Sequence, residues 1–130
     1  MNVSLVNVVE FEPINDFLNG RREQAHSAYP PIGLLTLAAV LERQRHEVEV
    51  VDCANLILQG ELILDDNVWK GAAEYICRQA PDVVGFSSRC DNYLHSLRIA
   101  AELRRMRPLV PIIFGGPQAT ITDNGHTEPV

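Results

Sequence analysis

The stretch from Ile32 to Asp52, IGLLTLAAVLERQRHEVEVVD, changes its hydrophobic period within a few residues, and that change decides the fold. From Ile32 to Arg45 it is rich in Leu and Ala, apolar on nearly every face and polar only toward its end, which predicts a helix wedged beside a sheet. After His46, Glu47 to Asp52 (EVEVVD) alternates and is β-branched, which predicts a short strand ending in an acid. A helix followed at once by a strand is the repeating step of a parallel α/β sheet.

The rest of the chain extends the pattern in both directions. Upstream, Asn2 to Val9 (NVSLVNVV) is largely apolar, β-branched and too short for a helix, so it reads as a buried first strand. Glu10 to Pro31 carries Pro13, Gly20, Pro30 and Pro31 without lasting periodicity and reads as a long loop with one short helix around Asp16. Loops beyond about 12–15 residues inside a compact domain usually carry function. Downstream, Cys53 to Gly60 reads as a loop. Asp65 or Asp66 can then cap a helix in which Trp69, Ala72, Ala73, Ile76 and Cys77 form one apolar stripe, stopped by Pro81. Asp82 to Ser88 (DVVGFSS) is the third strand. Asp91 or Asn92 can cap a third helix with Leu94, Leu97, Ala100 and Ala101 facing inward, ended by Pro108. Pro111 to Gly116 (PIIFGG) is the fourth strand.

With right-handed crossovers this order makes an α/β, doubly wound parallel sheet of the Rossmann-like or flavodoxin-like kind, one domain over residues 1–130. Sheets of this kind usually carry a fifth strand and a closing helix, and Ile121 to Val130 supplies neither. The expectation is a truncated domain whose bare sheet edge pairs with a neighbour or a second copy.

Composition bounds the function. The chain is 46% hydrophobic and 22% charged with a net charge of -6, so it folds around aliphatic side chains and is a poor partner for nucleic acid. The cluster Arg104, Arg105 and Arg107 falls at a helix end, where cations complement the helix dipole. No apolar run approaches the roughly 20 residues of a membrane span and no signal peptide is evident, so no membrane role and a cytoplasmic location are expected. Cys53, Cys77 and Cys90 lack zinc or cluster spacing and read as free thiols.

In open parallel sheets ligands bind beyond the carboxyl ends of the strands, where strand order reverses. That rule selects the long loop to Pro31, the turn after Asp52, Ser87-Ser88-Arg89 and Gly115-Gly116-Pro117. The glycine pair serves either a tight turn or the close approach of another group to the backbone. The two hydroxyls and Arg89 serve either a phosphate or amide, or, through Ser88, the cap of the next helix. His26 is the histidine of the long loop, an imidazole able to ligate a metal or move a proton. His46, His95 and His126 lie at a helix-strand junction, on a polar helix face and in the tail. Glu10, Glu12 and Asp52 can form an acidic site, but a phosphoacceptor domain also needs an aspartate where Ser87 and Ser88 stand. Dinucleotide, P-loop and nucleophile-elbow motifs are missing from the sequence.

Three linked segments, Tyr29 to Asp52, Pro81 to Ser88 and Val110 to Thr120, carry Pro-Pro-x-Gly-Leu-Leu, a strand ending in Asp, Asp-x-x-Gly-x-Ser and Gly-Gly-Pro. In that order the sequence resembles the cobalamin-binding domain at the amino end of many radical S-adenosylmethionine (SAM) enzymes. The resemblance implies a corrinoid whose nucleotide tail inserts beside the sheet. Ser87, Ser88 and Arg89 would line the tail pocket, Gly115, Gly116 and Pro117 would leave room for it, and the loop from Glu10 through Tyr29, Pro30 and Pro31 to Gly33 would lie under the corrin. Relatives with histidine ligation carry Asp-x-His-x-x-Gly in this loop. Gln24 to Tyr29 keeps His26 but neither the aspartate nor the glycine, so no histidine ligation is expected and His26 stands as the exception. SAM and a [4Fe-4S] cluster would belong to a downstream radical SAM domain of the parent protein, since the Cys-x-x-x-Cys-x-x-Cys motif does not occur in these residues. The implied function is binding and positioning of the corrinoid for a methyltransferase-like radical enzyme. The alternatives are a vestigial domain of this type with a structural role and no cofactor, and half of a sugar-nucleotide glycosyltransferase, which the Pro30 to Asp52 stretch also resembles.

Overall fold

The computed structural model describes residues 1–8, 31–89 and 92–116. Four strands, β1 (Asn2–Asn7), β2 (Glu47–Asp52), β3 (Val83–Ser87) and β4 (Ile112–Gly115), pair in the order β2-β1-β3-β4, every pair parallel. Between them run α1 (Ile32–Arg43), α2 (Cys53–Leu58), α3 (Val68–Arg78) and α4 (Tyr93–Met106). The parallel α/β sheet is the one the sequence predicts. The chain moves outward from β1 to β2, then back past β1 to β3 and on to β4, so strand order reverses between β1 and β3.

The two-residue repeat of each strand sorts its side chains between two cores. Val3 and Leu5 of β1, Val48 and Val50 of β2 and Val83 of β3 pack with Leu34, Ala38 and Leu41 of α1. Val6, Val51, Val84, Phe86, Ile112 and Phe114 belong to the opposite core, with Ala72, Ala73 and Ile76 of α3 and Ile99 and Leu103 of α4. Right-handed crossovers in opposite directions require this division, since a connection moving from β1 to β2 and one moving from β2 to β3 must cover opposite faces. Phe86 stacks on Phe114 at 5.1 Å and Tyr93 meets Phe114 edge-on at 6.3 Å. Truncating a buried aromatic of this kind to Ala costs about 3–5 kcal/mol, so the trio fastens β4 and α4 to β3.

Two expectations are corrected. Cys53 to Leu58, read as loop, is helical, and it buries Cys53, Ala54 and Leu56 before Gly60 turns the chain. Six residues are too few for periodicity to distinguish a helix turn from a loop. In α4 the phase differs: Leu94 and Leu97 are 53% and 40% exposed and Ala101 is exposed, while His95, Ser96, Ile99 and Leu103 are buried. The polar pair is satisfied inside. The Trp69 indole N–H donates to His95 Nδ1 at 3.1 Å, and Ser96 Oγ donates to the Asn92 carbonyl at 2.9 Å. A buried polar group with a partner costs little, so apolarity alone gave the wrong face. His95, read on a polar face, is thus an interior residue between α3 and α4.

The basic cluster does occupy a helix end, Arg104 and Arg105 in the last turn of α4 and Arg107 just after it. Arg104 Nη1 donates to the carbonyls of Pro108 and Val110 at 2.8 and 2.7 Å, tying the end of α4 to the start of β4. No helix among the described residues is long and apolar enough to cross a membrane.

Candidate functional site

The strand register brings four residues into one row at the carboxyl edge of the sheet. Asn7 pairs with Asp52 on one side and Ser87 on the other, and Ser87 pairs with Gly115. Counting back by twos, the row shares its face with Val50, Leu5, Gly85 and Ile113, so Asp52, Asn7 and Ser87 turn toward the α1 face. Three polar side chains and one glycine therefore edge an apolar surface beside the point where strand order reverses.

Below that row lies a slot of about 490 Å³. Val3, Leu5, Val83, Gly85 and Ile113 form its floor, and Gly33, Leu34, Leu37 and Leu41 of α1 form one wall. Ser87, Gly115 and Gly116 line its carboxyl end, and Met1 and His46 the other, where the amino terminus lies 3.2 Å from His46 Nδ1. Missing Cβ atoms widen it. A Cβ at Gly33 or Gly115 would meet nothing within 4 Å, and one at Gly85 would lie 3.2 Å from Leu5 Cδ2. The slot can take a flat apolar group, with the Ser87 hydroxyl at its carboxyl end.

The carboxyl end is held rigid from the opposite face. Asn92 is fully buried, and its Nδ2 donates to the Val8 carbonyl at 2.8 Å and to the Ser87 carbonyl at 3.3 Å, while Oδ1 accepts from the Arg89 N–H at 2.7 Å. One amide thus bridges the ends of the two strands that part at the switch point. Ser88, also fully buried, donates to the Gly115 carbonyl from both its N–H and its Oγ, each at 2.8 Å. Gly116 crosses directly over Ser88. Its φ is +95°, and a Cβ there would lie 2.7 Å from the Ser88 carbonyl oxygen.

These contacts divide the residues picked out from the sequence. Ser87, Gly33, Gly115 and Gly116 line the slot. The Ser88 hydroxyl is engaged with Gly115. Gly116 is glycine for its backbone crossing, whereas Gly115 is the one whose missing side chain opens space. Pro31 ends the approach to α1, its carbonyl accepting from the Leu35 N–H at 2.9 Å. The Arg89 N–H is part of the Asn92 junction. α4 begins after Asn92, without a side-chain cap from Ser88. Tyr29, Pro30, Pro117, His26, Glu10 and Glu12 lie outside the described residues. Asn7 joins the row and Gly85, the glycine of the Asp-x-x-Gly-x-Ser segment, joins the slot floor, neither of them a candidate site residue from the sequence. The strand alternation could have found both, since it puts them on the face of Leu5 and Val83.

Cys53 is fully buried next to Asp52, and burial, with the Asp52 charge adding to it, pushes its thiol up to about 12. It stays protonated and serves as a small apolar core residue.

A four-stranded parallel sheet with a glycine-lined slot under one face and a polar row at its switch point defines an α/β ligand-binding domain of the doubly wound class. The chain belongs to the B12 binding domain family, whose model matches residues 20–128. That membership makes it a cobalamin-binding type of domain with a Rossmann-like fold. Comparison with curated proteins and with solved structures finds no match.

Proposed function

We propose that this chain binds cobalamin and positions it for a radical SAM enzyme of the methyltransferase type. The observation that carries the reading is the slot beside the sheet. It is apolar along its floor and α1 wall, and opened by Gly33, Gly85 and Gly115 at places where ordinary side chains would fill it. A flat aromatic base such as the one ending cobalamin's nucleotide tail suits that lining, and the hydroxyl of Ser87 and the side chain of Asn7 suit its ribose and phosphate. In this reading Gly115 admits the tail, and Tyr29, Pro30, Pro31, Ser88, Arg89, Gly116 and Pro117 support the loops around it. When bound, the cofactor supplies the alkyl-transfer chemistry, and the protein's part is to orient and shield it.

The linked motifs noted in the sequence support a downstream radical domain holding SAM and the iron-sulfur cluster, in a cytoplasmic parent protein. β4, an edge strand among the described residues, supports self-association along that edge through its unpaired backbone groups. The test is to mix the purified protein with hydroxocobalamin, remove free ligand and record the visible spectrum. Corrin bands at one equivalent are expected. A colourless protein overturns the proposal in favour of a vestigial domain. His26→Ala should leave the bound spectrum unaltered.

A further inference from the structure

Asp52 closes β2 with a polar atom that nothing among the described residues accommodates. Among the described residues its Oδ1 has no hydrogen-bond partner, and it is covered in the ligand-free fold although the residue as a whole is only partly covered. The obvious local use for an aspartate here, capping the helix that starts at Cys53, is not made: the side chain donates and accepts nothing at that terminus. The adjacent thiol cannot serve either. Cys53 follows Asp52 in sequence and turns to the opposite core, with Val51 and Ala54.

A buried acceptor without a partner destabilises a fold, so its presence calls for a group that arrives later. The position of Asp52 says where that group comes from. Asp52 stands in register with Asn7, which stands in register with Ser87. With neighbouring strands about 4.8 Å apart, Asp52 lies roughly 10 Å from Ser87 along the polar row. That distance is within the span of a corrinoid whose tail enters at Ser87. A carboxylate repels phosphate and accepts only donors, so the matching chemistry is a neutral N–H or O–H.

We infer that Asp52 Oδ1 is a ligand-binding acceptor, taking a hydrogen bond from an amide N–H of the corrin side chains or a ribose O–H of the nucleotide tail. The inference rests on the corrinoid reading above and extends the site from the β1–β3 junction to β2.

The experiment titrates the parent protein, Asp52→Ala and Asp52→Asn with hydroxocobalamin and, separately, with dicyanocobinamide, which lacks the nucleotide. Melting temperatures are measured without ligand. Asp52→Ala should bind hydroxocobalamin about tenfold or more weakly, the loss of one hydrogen bond to a charged group, and Asp52→Asn should lose less. Without ligand both variants should melt at or above the parent temperature, because an unpartnered acceptor has been removed or neutralised. The same weakening with dicyanocobinamide assigns the ring amides, and weakening confined to hydroxocobalamin assigns the ribose. Equal affinity of parent and variants overturns the inference while leaving corrinoid binding standing. So does a fall in the ligand-free melting temperature, which would make Asp52 structural. A parent protein that binds neither probe overturns the corrinoid reading and this inference with it.

Discussion

Replacing Asn92 with Ala removes the amide that bridges the two parting strands, and its cost follows from the contacts. Three hydrogen bonds go: the 2.8 Å bond to Val8, the 2.7 Å bond from Arg89 and the longer 3.3 Å bond to Ser87. Each short bond contributes about 1 kcal/mol net, and leaving the Val8 carbonyl and the Arg89 N–H without it in a closed site adds to that. The total is about 3 kcal/mol, a large share of the roughly 5–15 kcal/mol that holds a typical domain together. For a chain of 130 residues this lowers the melting temperature by roughly 10 °C or more. Asn92→Asp keeps the shape but sets a carboxylate oxygen against two carbonyls at a fully buried position. Its loss is therefore larger at neutral pH than in acid, where the protonated group can donate one bond. Urea and thermal unfolding followed by the emission of Trp69, the single tryptophan, and by circular dichroism measure both. An Asn92→Ala protein within about 0.5 kcal/mol of the parent, the range of an ordinary surface change, would refute the reasoning.

The glycine pair after β4 should separate by role. Gly115→Leu fills the slot mouth, leaving ligand-free stability within about 0.5 kcal/mol and abolishing retention of hydroxocobalamin on desalting. Gly116→Ala, forced to a φ of +95° against Ser88, costs about 1–3 kcal/mol in urea unfolding whether or not ligand is present. For Cys53 the folded thiol stands at about 12, above its ordinary value of about 8.5. Folding favours the protonated form, so its contribution is complete below about pH 8.5 and is lost as pH rises toward 12, where the unfolded chain ionises first. Stability measured across that window should fall, and fall less in Cys53→Ala. Iodoacetamide at pH 8, read by mass spectrometry, should label Cys53 only after denaturant is added.

The order of strands and helices was legible because each segment carries one period long enough to read. Ile32 to Asp52 switches from helix to strand within the described structure much where the sequence switches. The carboxyl-edge site was legible for a similar reason, since Ser87 and the glycine pair sit where strands stop. What could not be read was the environment of polar residues. Asn92 stands at the helix start, where the sequence puts a cap, but its side chain bridges strands instead of making a cap bond. Ser88 looked like a neighbour of Ser87 with the same outlook, yet successive residues of an extended chain face opposite ways, and Ser88 is bound to Gly115. His95 and Ser96 are polar by type and interior by partner, and only the fold supplies the partner. α2 escaped because six residues, fewer than two turns, show no readable periodicity.

The two faces of the sheet are unequally provided for. Among the described residues, 16 buried apolar side chains make up the core under α3 and α4, against four under α1. Among the described residues the α1 face thus has the smaller interior, and the slot lies on that face. On the proposed reading a base seated there becomes one of the larger buried groups on its side of the sheet, and the cofactor serves as missing core as much as cargo. Occupancy and folding would then be one equilibrium. At a free ligand concentration a hundredfold above Kd the protein gains about 2.7 kcal/mol, and a cell depleted of the vitamin would hold less of the folded chain.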